Sequence, residues 1–213
     1  QRDYCWGDHI PSNSTETLVS SFMDSLLKLD RSRDITMGLI YGYYDKELTP
    51  NHLQLCDGQQ RLTTLFLILG VLNRKAGDDR YKDILISNFE LEEDDKEPHL
   101  LYGIRESSLY FLSDLTIYYF LNSNLSLSDL DKQPWFLNSY NNDPTIISIK
   151  CAIETIEAKL ASNDDNEKPD IYSFGDFLIE RLKFLLEKAE SEVTIVANLT
   201  IGNAVRVIFG PLK

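Results

Sequence analysis

The chain has 213 residues, 43% of them hydrophobic and 26% charged, which is enough for one sizeable core with an ordinary globular surface. A formal net charge of −13 argues against a broad nucleic-acid-binding face and makes a small anion, held by a few local cations, the better fit. No apolar run approaches the roughly 20 residues that span a membrane. Cys5, Cys56 and Cys151 form no CxxC pair, which argues against a disulfide framework or zinc site and points to a reducing cytoplasm.

The opening segment QRDYCWGDHIPSNS is rich in turn formers and reads as irregular. Asn13 with Glu16 resembles a helix N-cap and its reciprocal partner, and Leu18, Phe22, Leu26 and Leu29 give a helical stripe over about 16–29. DITMGLIYGYYDKE is β-branched and aromatic, LTPN turns the chain, and HLQLC is a second strand. Residues 35–56 therefore read as a hairpin. From Gln59 to about Arg74, Leu62, Leu65, Phe66, Leu69 and Leu72 recur at helical spacing.

Further on, segments at about 78–87, 105–121, 144–161 and 173–189 read as helices. The loops ELEEDDKEP, NSYNNDP and SNDDNEKPD between them read as solvated linkers. VTIVANLT, 193–200, returns to strand character, and NAVRVIF reads as the opening of another helix. The order is thus a small α/β piece over 1–76, a helical middle and a closing strand. The short runs between strands exclude a sheet built throughout from βαβ crossovers.

The chemistry concentrates at LQLCDGQQRLTTL, where a strand hands over to a helix. Gly58 accepts a positive φ, and the first N–H groups of the following helix lack intrahelical partners. Free donors and a partial positive charge suit an anion, and Gln59, Gln60 and Arg61 add amide and guanidinium donors on the first turn. The bland reading uses the same residues: Asp57 as a cap, Gly58 as a turn residue, Arg61 as a solvated charge. His9, His52 and His99 stand apart from one another, and no P-loop, GxGxxG, HExxH or GxSxG pattern occurs.

Taken in order, QRDYCW, MGLIYGYYDKE and LQLCDGQQRLTTL resemble the amino-terminal domain of GmrSD-type restriction endonucleases, which is related to the ParB and sulfiredoxin nucleotide-binding fold. The resemblance implies an α+β fold, with a small ParB/sulfiredoxin-like mixed sheet, helices and a large helical insertion. Residues 1–76 would form the nucleotide-binding core and 77–191 the helical region. Residues 192–213 would supply a returning strand and the start of a helix that complete the core.

The function implied is binding, and hydrolysis, of a nucleoside triphosphate with Mg, in a restriction or phage-defence system acting on DNA. The output would be control of a nuclease domain or subunit. Nuclease activity is not expected of this chain, because family nuclease modules depend on a histidine-centred metal motif. The alternative is a non-catalytic sensor of the same fold that recognises modified DNA or a partner protein. Carried over residue by residue, Asp57, Gln60 and Arg61 would be catalytic, with Asp57 also at the metal. Gln1, Arg2, Gly58, Gln59, Arg61 and Thr63 would face the nucleotide phosphates, and Tyr4 and Trp6 would stack or pack nearby. One departure stands out: Asp3 replaces the family's usual proline and brings a negative charge close to the phosphate site.

Overall fold

A computed structural model of the chain describes residues 2–10, 13–27, 35–44, 53–77, 79–90, 96–122, 124–162, 176, 195–201 and 206–209. The fold is α+β, as expected. A short antiparallel pair, β1 (His9–Ile10) and β2 (Asn13–Thr17), leads into helix α1 (Leu18–Leu27). Strands β3 (Ile35–Tyr44) and β4 (Leu53–Asp57) form the expected hairpin. Helix α2 (Gln59–Ala76) follows after a single residue, Gly58.

The helical region holds α3 (Lys82–Leu85), a small antiparallel pair β5 (Ile86–Glu90) and β6 (Lys96–Pro98), helix α4 (Glu106–Leu115), and α5 (Pro144–Ala161). Strands β7 (Ile195–Ile201) and β8 (Arg206–Phe209) then join the hairpin in a sheet of order β4-β3-β7-β8. All three pairings in that sheet are antiparallel, where the resemblance implied a mixed sheet.

Four local expectations change. Asn13 is not a cap, because β1–β2 pairing uses that stretch; the Thr17 hydroxyl instead accepts from the Ser20 amide at 3.0 Å. Of the helix expected over 78–87, the described residues 79–87 carry one short turn, Lys82–Leu85, before the chain turns extended in β5. The acidic linker ends in β6, whose Pro98 pairs with Ile86. Residues 206–209 are strand rather than helix, since the edge of β7 offers backbone groups that only an extended neighbour can pair. The helix expected over 173–189 lies, apart from 176, outside the described residues.

The core explains why α2 sits where it does. Its residues 63–73 are buried without a break, so it is hydrophobic around its circumference and central rather than a surface helix. Helix α5 is capped by Asp143, whose Oδ1 accepts from the Thr145 and Ile146 amides at 2.9 and 3.3 Å. It turns Ile146, Ile149, Ile153, Ile156 and Leu160 inward along one stripe. Phe111, Phe136 and Tyr140 meet edge-on with centroids 5.4–6.1 Å apart, joining α4 to the turn before α5. One cluster of buried side chains runs from Tyr4 to Leu160, so the amino-terminal piece and the helical region share it.

The 105–121 helix does not end as a regular α-helix. Thr116–Phe120 widens into a π turn, and the side chains of α2 meet carbonyls at and just beyond it. Asn73 Nδ2 donates to the Phe120 carbonyl at 3.1 Å, and Arg74 donates to the Asn122 carbonyl at 2.8 Å.

Candidate functional site

The site is built where β4 ends. Gly58 has φ 89° and ψ 0°, a left-handed conformation that L side chains rarely adopt, so the glycine lets the strand turn straight into α2. The first helical bond runs from the Leu62 amide to the Gly58 carbonyl at 3.0 Å. As the N-cap residue, Gly58 offers no side-chain cap to this helix N-terminus. Arg61 lies on the first turn with its side chain only 16% exposed, 3.5 Å from Asp57 Oδ2, whose side chain is 64% exposed. Such a terminus with a nearby guanidinium suits an anion.

Over this turn lies the amino-terminal segment, and the two glutamines hold it there. Gln59 Oε1 accepts from the Arg2 amide at 3.1 Å, and its Nε2 donates to the Leu55 carbonyl at 3.0 Å. Gln60 Oε1 accepts from the Cys5 amide at 3.0 Å, and its Nε2 donates to the Asp3 carbonyl at 2.7 Å. The amide groups of Gln59 and Gln60 therefore both pair with backbone, as a strand neighbour would. The Gln60 side chain also hydrogen-bonds Tyr102, so it is engaged on the helical region's side as well.

Other anchors come from far along the chain. The Tyr4 amide donates to Thr145 Oγ1 at 3.2 Å, and the Gly7 amide to Ser148 Oγ at 3.0 Å, both on α5. The Tyr102 hydroxyl donates to the Arg2 carbonyl. Asp3 receives the fork of Arg105, with contacts of 2.6 and 3.1 Å, and also accepts from Thr145 Oγ1 at 3.0 Å. The Asp3 charge noted in the sequence is thus turned to the helical region and matched there. The Arg105 guanidinium holds the Asp3 carboxyl below its usual value, against the opposing pull of burial.

The sequence-selected residues divide as follows. Arg2, Gly58, Gln59, Gln60, Arg61 and Asp57 come together at the β4–α2 junction and the segment laid over it. Tyr4 is buried, its hydroxyl 2.8 Å from that of Thr64, and burial raises its phenol well above the ordinary value. Trp6 packs edge-on against Phe22 of α1, centroids 5.3 Å apart, so its ring is engaged by α1. Thr63 is fully buried, and its Oγ1 has no hydrogen-bond partner among the described residues. Gln1 lies outside the described residues.

Tyr102, Arg105, Thr145 and Ser148 were missed by the sequence reading. No motif or spacing marks them, because their partners lie about 100 or more residues away in the chain. Among the described residues, no three His, Cys, Asp or Glu side chains gather as a metal site, and no helix is long and apolar enough to cross a membrane.

Neither the curated proteins nor the solved structures contain a match to this chain. The family model of the GmrSD restriction endonuclease N-terminal domain matches residues 1–209, which takes in the β4–α2 junction, the helical region and the closing strands alike. The chain therefore belongs to the GmrSD restriction endonuclease N-terminal domain family.

Proposed function

We propose that this domain of a restriction system binds a nucleoside triphosphate at the β4–α2 junction and uses it to control a nuclease domain or subunit. The observation that carries the reading is the N-terminus of α2, where left-handed Gly58 brings no side-chain cap, with Arg61 on its first turn. Arg2 is exposed on the segment pinned alongside, so a second cation is available in a chain whose net charge is −13. An anion would need such local cations against that background.

Magnesium fits this reading in a limited way. It favours one or two carboxylates together with phosphate oxygens and water, and Asp57 presents an exposed carboxylate at the strand end. When bound, the ion would neutralise phosphate charge; Asp57 would hold it, while Arg61 and the α2 amides would grip the phosphates.

One observation favours a second reading, in which the site binds without hydrolysing. Gln60, assigned to catalysis by the resemblance, already has its Oε1 and Nε2 engaged by Cys5 and Asp3. A side chain held in that way clamps a segment more readily than it orients an attacking water.

Calorimetry with ATP, GTP, CTP and UTP plus magnesium tests the proposal. Arg61→Ala is expected to weaken binding by about 2 kcal/mol, roughly 30-fold, the worth of one charge-assisted contact. Equal affinity in both proteins would remove Arg61 from the site. Phosphate release that disappears in Asp57→Ala supports hydrolysis. Binding of modified DNA with no nucleotide present supports the sensor instead.

A further inference from the structure

We infer that Tyr102 and Arg105, from the helical region, are positioning residues that hold the 2–7 segment on the N-terminus of α2 and so set the site's affinity for triphosphate. The inference rests on the nucleotide reading above and adds residues to it that neither the motif nor its neighbourhood contains.

The geometry is specific to Arg2. Its amide is taken by Gln59 of α2 and its carbonyl by the Tyr102 hydroxyl, so its backbone is gripped from both sides of the chain. The Arg2 side chain is exposed and depends on that backbone for its place. The next residue, Asp3, is fixed by the two-point fork of Arg105, which constrains orientation as well as distance. Arg105 is in turn held by Asp143, 3.5 Å away, the residue that caps α5. Asp143 also accepts from the Ser107 hydroxyl.

A continuous set of contacts therefore runs from the cap of α5 through Arg105 and Asp3 to Arg2. The Tyr102 phenol, protonated at neutral pH like any tyrosine, serves as the donor, and burial raises it further. Tyr102 and Arg105 thus link the start of α4 and the turn before it to Arg2 and Asp3.

Hydrogen exchange of the 2–7 amides and calorimetry with ATP and GTP plus magnesium are measured together on wild type, Arg105→Gln, Arg105→Lys, Tyr102→Phe, Asp3→Asn, Arg105→Gln/Asp3→Asn and Arg61→Ala. Arg105→Gln and Tyr102→Phe are expected to speed exchange in the segment and to weaken triphosphate binding by about tenfold. Arg105→Lys should recover part of the loss. The double variant should be no weaker than the poorer single one, because both remove the same pair.

Unchanged exchange in Arg105→Gln and Tyr102→Phe would overturn the inference. So would faster exchange with unchanged affinity in a protein whose Arg61→Ala variant loses binding; the nucleotide reading would then survive alone. No binding of either triphosphate by wild type would overturn both. Arg105 is a surface side chain and Tyr102→Phe deletes a single oxygen, so a single cooperative melt well above the assay temperature separates positioning from unfolding.

Discussion

The hydroxyl of Tyr4 lies 2.8 Å from that of Thr64, 60 residues further along the chain and on the second turn of α2. Thr64 Oγ1 also donates to the Gln60 carbonyl at 2.9 Å, which leaves Tyr4 as the donor in the shared bond. The amino-terminal segment is therefore latched to the same helix whose N-terminus forms the candidate site. Its aromatic ring supplies the burial and its hydroxyl the direction.

That assignment makes the two ends of the bond unequal. Tyr4→Phe removes a donor and leaves Thr64 its bond to Gln60, so it should cost about 0.5–1.5 kcal/mol. Thr64→Val leaves the buried Tyr4 hydroxyl without a partner and should cost about 1–3 kcal/mol. Urea unfolding of the two variants gives the order, and a larger loss in Tyr4→Phe would reverse the donor assignment.

Gly7 marks the closest approach of the segment to α5. A Cβ there would sit 1.9 Å from the Ser148 carbonyl oxygen and 2.8 Å from its carbon, both backbone atoms that cannot swing aside. Gly7→Ala should therefore lift the segment, break the Gly7 to Ser148 Oγ bond, and destabilise by about 1–3 kcal/mol. Denaturant unfolding measures this; a variant as stable as wild type would show that the segment is not seated on α5.

Asp3 gives a pH signature with a definite sign. Its carboxyl titrates below the ordinary 3.8 in the folded chain, chiefly because of the hydrogen bonds from Arg105. A lowered folded-state value stabilises above the unfolded value and is lost as pH falls through the folded one. The stability difference between wild type and Asp3→Asn should be constant from about pH 5 upward and should close below 3.8. Melting temperatures across pH 2.5–7 follow it, and a gap that widens in acid would contradict the ion pair.

Much of the local structure was legible because it depends on near neighbours. The β3–β4 hairpin, the helix from Gln59 and the Asp57-Gly58 turn follow from alternation, helical spacing and one glycine's freedom. The same holds for α5, whose apolar stripe and Asp143-Pro144 start lie within a few residues of each other. Errors fell where a distant partner overrode local preference. Residues 206–209 read as a helix opening until β7 offered them an edge, and Asn13 read as a cap until β1 paired beside it.

For the site, the sequence by itself determined the chemical inventory: a positive-φ glycine, two amides and an arginine at the head of a buried helix, with a second arginine in the opening segment. Only the tertiary structure decided how these are used. It turned Gln59 and Gln60 into clamps for the 2–5 backbone and matched Asp3 to Arg105. The reason is physical: side-chain-to-backbone bonds across about 60 to 140 residues have no period and no spacing, and arise only once packing brings their partners within 3 Å or so.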